Sequence, residues 1–389
     1  MYSAPEFLLT LGGILLIGLA TDAIGRRTFL PRVTLLLLFG VLIGEEVLDL
    51  IPPVFTNRFD IIANMTLLMV GFLIGGKLTV SFLRQSAGKT LAISVSAAIL
   101  TTAVVAVGLA FAGVDVAVAI LLGCIASATA PAATMDIVLE SGNRSPFGDL
   151  LLSVVALDDL WGLLLFSIGI ALVAALTGDT PGVSHVYVAL KDIGGAVLLG
   201  LGIGLPAAYL TGRIRQGQPQ MMEALGLVFI CGGLAIWFDV SFLVASIVMG
   251  AVVANLARHH EYAFHEIENI EWPFMSIFFV LAGASLEFAM IKEIGLIGAV
   301  YVICRTLGKL LGAGAGAELS RAGQLTRNWM GLALLPQAGV AMGMALVASN
   351  QFPEYRYILL TVVISSTVFF EIVGPVLTRV AIRRAGPHV

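Results

Sequence analysis

Long apolar runs recur along the whole sequence and restrict the chain to one kind of fold. Runs of about 20 apolar residues, separated by short polar or Pro/Gly breaks, match the length of an α-helix that crosses a bilayer. Only 12% of the 389 residues are charged, whereas soluble domains carry about 25%. The sequence therefore predicts an all-α polytopic membrane protein.

Thirteen of these runs are predicted to be transmembrane helices, called spans below. They cover about 5–22, 33–50, 60–76, 88–112, 116–140, 150–177, 187–211, 221–237, 240–257, 268–286, 294–317, 327–350 and 356–381. No connection is long enough for a further domain, so we expect one transmembrane unit over 1–384 without an attached nucleotide-binding domain. No basic run suggests nucleic acid, and the three cysteines match no metal or redox spacing.

The positions of lysine and arginine predict the orientation in the membrane. Cytoplasmic loops are enriched in these residues. With the N-terminus outside and the C-terminus in the cytoplasm, most of the 21 lysines and arginines fall in inner loops. The outer loops then hold only Arg58, Lys191, Lys292 and Arg356. We therefore expect a multi-pass protein in contact with the lipid bilayer.

Two spans contain an interruption near the middle. The fifth span carries Ser127, Thr129 and Pro131 among small residues, and the twelfth carries Pro336 followed by Gln337. Proline removes a backbone hydrogen bond and disrupts the preceding helical turn. The two spans are seven apart and so run in opposite directions. This pattern predicts an inverted repeat with two crossed broken helices, where transporters place their binding sites.

Five charged residues lie deep in the predicted spans, where a charge costs roughly 3 kcal/mol on insertion scales. They are Asp158 and Asp159 in the sixth span, Arg305 and Lys309 in the eleventh, and Glu371 in the thirteenth. Three acids against two bases leave one site for a proton or a monovalent cation. Alternatively, the two bases only form a static ion pair with the aspartates. For Glu371 the alternative is a structural role, as the partner of Arg305 or of a broken-helix end.

The two aspartates project about 100° apart on a helix, so one is expected to face the cation and the other Lys309. Asp136 and Glu140 either line a negative funnel from the cytoplasm or belong to a solvated helix end. The inner loop before the tenth span contains His259, His260 and His265. Because histidine titrates near physiological pH, this loop is either a pH sensor or an ordinary interfacial loop.

These motifs together resemble a known family. Thr129-Ala130-Pro131 in a broken fifth span, Asp158-Asp159 in the sixth and Gly308-Lys309 in the eleventh are similar to the monovalent cation:proton antiporter superfamily. The resemblance is to its bacterial sodium/proton antiporters with paired aspartates, and it covers essentially the whole chain. It implies a homodimer that works by elevator-type alternating access.

The resemblance also implies roles for individual residues. Asp159 corresponds to the cation-binding aspartate, Asp158 to the neighbour that pairs with Lys309, and Thr129 to a residue near the cation. Arg305 and Glu371 also occur in related sequences, as charge-compensating residues. The implied dimerisation domain comprises spans 1–3 and 8–10, at about 5–76 and 221–286. The core comprises spans 4–6 and 11–13, at about 88–177 and 294–381, with span 7 at about 187–211 as a linker.

The expected function is electrogenic exchange of Na⁺ or Li⁺ for H⁺ in pH homeostasis, with the cation and protons competing for Asp158 and Asp159. No cofactor is expected. Potassium/proton exchange is the nearest alternative. An intramembrane aspartyl protease also needs two aspartates, but on facing helices, whereas adjacent residues diverge. A channel is less compatible with paired broken helices and a deep lysine.

Overall fold

The computed structural model describes residues 4–25, 32–45, 47–56, 59–79, 88–130, 134, 137–138, 145–177, 183–213, 220–258, 260–284, 288–337 and 339–385. These residues form helices and short connections, and they contain no β-strand. The prediction of an all-α fold is confirmed.

The described residues contain fifteen α-helices, which are numbered here in chain order. They are α1 Ala4–Gly25, α2 Arg32–Ile43, α3 Pro53–Thr56, α4 Phe59–Lys77, α5 Gly88–Phe111, α6 Val116–Ala126, α7 Pro146–Thr177, α8 Val183–Arg213, α9 Gln220–Trp237, α10 Phe242–Leu256, α11 His260–Ala284, α12 Phe288–Leu319, α13 Gln324–Ala333, α14 Gly339–Gln351 and α15 Arg356–Ala385. A single 3₁₀ turn, Pro353–Tyr355, precedes α15.

Five of the described helical segments are long and apolar enough to cross a membrane. They are Gly88–Phe111, Pro146–Thr177, Ile193–Thr211, Gly295–Leu319 and Pro353–Ala385. Shorter apolar helices lie in other predicted spans, including α6 in the fifth span. The twelfth span contains α13 and α14. The count of thirteen spans stays a prediction.

Hydropathy predicts the tenth span at 268–286, whereas the helix that overlaps it, α11, begins at His260 and ends at Ala284. Hydropathy detects only the apolar part of this helix. Its first turns are amphipathic, because Ala263 and Ile267 are buried while Glu261 and Glu268 are exposed. His265 therefore lies on a helix rather than in a loop, and its Nδ1 is 3.9 Å from Oε2 of Glu268.

The chain divides into two compact units, and three of the four boundaries fall within α4, α7 and α11 while the other precedes α5. The first unit comprises Met1–Ala63, Gly88–Gly162 and Pro273–Val389. The second comprises Asn64–Ala87 and Leu163–Trp272. In the second unit α10 packs against α8 and α9, and a Cβ on Gly75 of α4 would lie 2.1 Å from the carbonyl oxygen of Ile247 in α10.

In the first unit α12 packs closely along α5 by means of a row of glycines. A Cβ on Gly308 would lie 2.6 Å from Cα of Thr101, and one on Gly312 would lie 2.7 Å from Cα of Ala97. The Ser96 hydroxyl also donates to the carbonyl of Gly312 at 2.8 Å. The glycine row of α12 thus allows the close helix approach that its spacing predicts, and it fixes the side chains of α12 relative to the rest of this unit.

Candidate functional site

Two non-helical segments meet in the first unit, and both lie where the sequence predicts interruptions. After α6 the backbone leaves the helix at Ser127–Ala130, and after α13 it leaves the helix at Leu334–Gln337. The amide of Ala130 donates to the carbonyl of Pro336 at 2.9 Å. We call these stretches the first and second breaks. The direct hydrogen bond joins the two broken helices at one point.

Arg305 of α12 binds the backbone of both breaks. Its Nε donates to the carbonyl of Ala126 at 3.0 Å, its Nη2 to Ala128 at 2.9 Å and its Nη1 to Leu335 at 2.7 Å. The guanidinium carbon lies 4.2 Å from the centre of the Phe370 ring. The side chain is completely buried. Because helix C-terminal ends carry partial negative charge, Arg305 balances the carbonyl ends of α6 and α13.

Lys309 lies one helical turn after Arg305 and is also fully buried. Its Nζ is 2.6 Å from Oδ2 of Asp158, 2.5 Å from the carbonyl oxygen of Ser127 and 2.8 Å from Oγ1 of Thr129. Both charged side chains of the pair are inaccessible to solvent. A buried ion pair needs such additional hydrogen bonds to offset the loss of hydration.

The hydroxyl of Thr129 connects the charged pair to the second break. It accepts from Lys309, and both Oδ2 of Asp158 and the carbonyl of Leu334 are within its reach as acceptors, the latter at 3.1 Å. A hydroxyl has a single proton to donate. Thr129 can therefore donate fully to only one of these two acceptors, so the state of Asp158 affects how firmly the second break is held.

Asp158 uses only one carboxylate oxygen in these contacts. Its other oxygen, Oδ1, is buried and has no hydrogen-bond partner among the described residues. A carboxylate oxygen without a partner is a site for a cation or a proton, since an unpaired buried acceptor costs about 1–3 kcal/mol. Nearby, Trp161 Nε1 donates to Ser94 of α5 at 3.1 Å and anchors this part of α7.

The structure describes only some of the other predicted site residues. Gln337 is buried, and its Nε2 lies 3.2 Å from the hydroxyl of Tyr301 on α12. Glu371 is 2% exposed, and within the described part of the chain no ion pair or hydrogen bond reaches it. The backbone of Asp159 lies in α7, but its side chain is outside the described residues, as are Pro131, Asp136 and Glu140.

Tyr301 was missed by the sequence reasoning, although a signal for it exists. Tyr301, Arg305 and Lys309 are four residues apart along α12, so they share one face of the helix. All three side chains are fully buried. The contribution of Ser127 through its carbonyl was also missed, because every residue has a carbonyl and the sequence does not show which one lies at the end of a broken helix.

Arg305→Lys is expected to destabilise the protein although the positive charge remains. One ammonium cannot reproduce the planar set of donors that binds three separate carbonyls, and each carbonyl left unpaired costs about 1–3 kcal/mol. Thermal unfolding of the purified protein checks this, with Arg327→Lys as the matched control, because Arg327 is exposed and pairs with Glu318. Equal stability of the two variants would show that the carbonyl contacts of Arg305 are unimportant.

Comparison with known proteins gives a consistent result. Residues 12–381 match the family described as sodium/hydrogen exchanger, transmembrane. The ammonium/H⁺ antiporter subunit AmhT of Alkalihalophilus pseudofirmus is 23% identical over 316 residues, which are 79% of this chain and 78% of AmhT. The sodium proton antiporter MjNhaP1 of Methanocaldococcus jannaschii at pH 8 superposes with a TM-score of 0.76, 18% identity and 98% coverage of both chains. An electron-microscopy structure of MjNhaP1 gives 0.70 at 18% identity, with 97% and 96% coverage.

Proposed function

Because this chain belongs to the sodium/hydrogen exchanger family, we propose that it exchanges Na⁺ or Li⁺ for H⁺ at Asp158 and Asp159. The chain is a polytopic membrane protein and a cation/proton antiporter, which is a secondary transporter and not an enzyme. The alternative of an intramembrane aspartyl protease is therefore wrong. The proposal also covers the identity of the cation, the number of protons exchanged for it and the movement of the chain.

One observation carries the proposal more than any other. Asp158 is fully buried with one oxygen held by Lys309 and Thr129, while its second oxygen has no partner among the described residues. Carboxylate, hydroxyl and carbonyl oxygens are the ligands that hard monovalent cations prefer, by analogy with other hard cations. A proton and a cation cannot occupy the same oxygen. Competition for one carboxylate pair then couples their movements in opposite directions.

The choice among monovalent cations is the least constrained part of the proposal. Potassium is the alternative cation that the sequence leaves open. Ammonium is a second alternative, because the name of the relative AmhT describes it as a subunit of an ammonium/H⁺ antiporter. Oxygen ligands at a buried carboxylate suit Na⁺ and Li⁺, the smaller cations. We propose Na⁺ or Li⁺, in a cycle that carries two protons for each cation and so moves net charge.

Further parts of the proposal concern the whole assembly. We place the chain as a homodimer in a bacterial inner membrane with its N-terminus outside, and we assign the core to about 88–177 and 294–381. The contacts of Arg305 with both breaks favour a core that moves as one body, since the two broken helices are joined through its guanidinium. Elevator-type movement of the core requires this rigidity.

The direct test is a cation-driven pH change in proteoliposomes. A pH-sensitive dye inside vesicles should report proton movement when Li⁺ or Na⁺ is added outside, with a smaller response to K⁺ and NH₄⁺. Vesicles without the protein give the background, and a nonselective leak is identified by proton movement without added cation. A response only to K⁺ or only to NH₄⁺ would replace the proposed cation, and no response to any cation would reject the exchange itself.

The apparent KM for sodium is expected to rise as pH falls from about 9 to about 6, by at most tenfold per unit, because one proton excludes one cation from a shared, coupled carboxylate pair. The maximal rate at saturating sodium should change less than KM. The dye assay, run over a range of sodium concentrations at each pH, measures both quantities. A KM that stays flat over this range would mean that protons and sodium bind at separate places.

A further inference from the structure

A second buried carboxyl group lies in the same unit and has no part in the contacts described so far. Glu371 is in the middle of α15 and is 2% exposed. No ion pair or hydrogen bond reaches it from the residues that the structure describes. Its chain neighbour Phe370 packs on Arg305, and adjacent residues on a helix project about 100° apart.

Neither deep base of the unit is available to balance a negative charge on Glu371. Arg305 is committed to three backbone carbonyls. Lys309 is committed to Asp158, Thr129 and the carbonyl of Ser127. A buried carboxylate without a cationic partner costs several kcal/mol and takes up a proton instead. The arrangement of charges therefore favours the neutral acid at Glu371.

The helices packed on α15 supply no further base at this depth among the described side chains. The packed elements include α2, α6, α12, α13, α14 and the 3₁₀ turn, and apolar side chains of α7 share a buried cluster with the C-terminal end of α15. In α14 there is no titratable residue at all, and α13 has only Arg327, which is exposed and paired with Glu318. The remaining titratable residues on these elements are Cys124, Tyr301, Cys304, Arg305, Lys309, Glu318, Glu354 and Tyr355, with Asp149 and Asp158 of α7. The side chains of Arg32, Asp159, Lys292 and Glu293 are outside the described residues.

The face of α15 that carries Glu371 rests on the second break. Three residues further on, a Cβ at Gly374 would lie 2.8 Å from N and Cα of Pro336. One turn beyond, the Thr378 hydroxyl lies 3.1 Å from the carbonyl of Ala333, the last residue of α13. Residues at i, i+3 and i+7 share one helix face. One turn before Glu371, the buried hydroxyl of Thr367 has no hydrogen-bond partner among the described residues.

We propose that Glu371 is a second proton-binding site of this transporter, separate from the aspartate pair, and that it must be protonated for the second break to pack on α15 as observed. Water that reaches Glu371 when the break moves away accepts its proton, which leaves a hydrated carboxylate; repacking requires a proton to return from water. The packed conformation binds the proton, so low pH favours it and rising pH disfavours it. The transport consequence rests on the proposed exchange function, whereas the protonation itself does not.

Infrared difference spectroscopy of the purified full chain tests the protonation directly. A solvated glutamate, with a pKa near 4.3, is ionised at about pH 7, so a protonated carboxylic acid at that pH identifies an unusual site. The wild type should show a carboxylic acid carbonyl band at pH 7 that Glu371→Gln lacks, and that decreases as pH rises. Glu318→Gln, at an exposed glutamate of α12, should leave the band unchanged. Identical wild-type and Glu371→Gln spectra in this region would overturn the proposal.

Transport provides the second measurement. Glutamine is neutral at every pH and similar in shape to the protonated acid, so Glu371→Gln should fold like the wild type, and the exchange rate of each protein is expressed relative to its own rate at about pH 7. As the pH is raised above about 7, the wild type should lose at least threefold more of its rate than the variant, because only the wild type can ionise at this position and so disfavour the packed conformation. Glu371→Asp, which still titrates, should decline as the wild type does. Parallel decline of the wild type and Glu371→Gln would overturn the coupling.

These measurements separate the failure of this proposal from the failure of the proposed function. Absence of cation-driven exchange in the wild type would reject sodium/proton exchange, while the infrared band would still establish a proton at Glu371. Normal wild-type exchange together with an unchanged Glu371→Gln spectrum would reject the proton site and leave the exchange function intact. A folded Glu371→Gln protein, checked by thermal unfolding at pH 7, is required for both comparisons.

Discussion

Asp159→Asn is expected to reduce cation-driven proton movement to the level of vesicles without protein, while the protein remains folded. Asparagine has nearly the shape of aspartate, but it carries no charge and binds no exchangeable proton at neutral pH. The Asp158 carboxylate is already held by Lys309 at 2.6 Å. Removing the second carboxylate therefore removes the one negative charge that the deep bases do not balance, and with it the shared site for cation and proton.

The matched control for this variant lies on the same helix. Asp149 is in the first turn of α7, is exposed and is far from the charged pair, so Asp149→Asn should exchange cations at the wild-type rate. Both variants should unfold at temperatures close to that of the wild type. Sodium-dependent proton movement retained by Asp159→Asn, measured with the dye assay under the same conditions as Asp149→Asn, would show that Asp159 is not the exchange site.

Much of the fold could be predicted from the sequence because two signals are local. Hydropathy identifies helices such as α5, α7 and α15 directly, since a residue in a lipid environment must be apolar and its backbone must be helical. Proline at 336 marks the second break in the same way, because it cannot donate to a helix. Hydropathy places the start of α11 too late in the chain, because the amphipathic first turns of this helix carry acidic residues that lower the mean hydropathy.

The partners of the deep charges could be predicted only in part. The closeness of Lys309 and Asp158 follows from the need to pair two buried charges, and the resemblance to a family indicated it. The partners of Arg305 are of a different kind, and the sequence does not indicate them. Its three acceptors are backbone carbonyls exposed by the ends of α6 and α13, and they become available only because the two breaks meet.

The different partners of the two bases change the charge balance of the site. Five deep charges sum to −1 if all are ionised, but Arg305 contacts carbonyls, and Glu371 has no base beside it in the described structure. What remains near the breaks is Asp158, Asp159 and Lys309, which also sum to −1. This sum agrees with the proposed binding of one monovalent cation, and in the proposed cycle Lys309 is the group that decides how much charge moves.

Lys309→Gln is expected to make exchange electroneutral or much slower. Asp158 and Asp159 are adjacent, and a single transported cation neutralises only one of them. In the proposed cycle the cation draws Asp158 away from Lys309, and the ammonium releases its proton, so that two protons cross for each cation and one net charge moves. Glutamine has no such proton. The cycle of the variant would then exchange one proton for one cation, and no net charge would cross.

The same substitution should also destabilise the protein. Lys309 and Asp158 are both inaccessible to solvent, and removing one member of a buried pair typically costs about 3–5 kcal/mol, because the other charge is left without a partner. Adding Asp158→Asn to Lys309→Gln removes both charges and should restore part of the lost thermal stability. Lys191→Gln is the control, since Lys191 is 48% exposed and lies 3.7 Å from an exposed Asp239.

The decisive quantity is the charge that moves for each cation exchanged. Transport current on a supported membrane gives the charge, and the dye assay on the same preparation gives the exchange, so a slow variant is normalised by its own rate. The wild type and Lys191→Gln should show about one charge per cation, and Lys309→Gln should show a ratio near zero. An equal ratio in all three proteins would mean that the second proton comes from another group, with Lys309 acting only as the structural partner of Asp158.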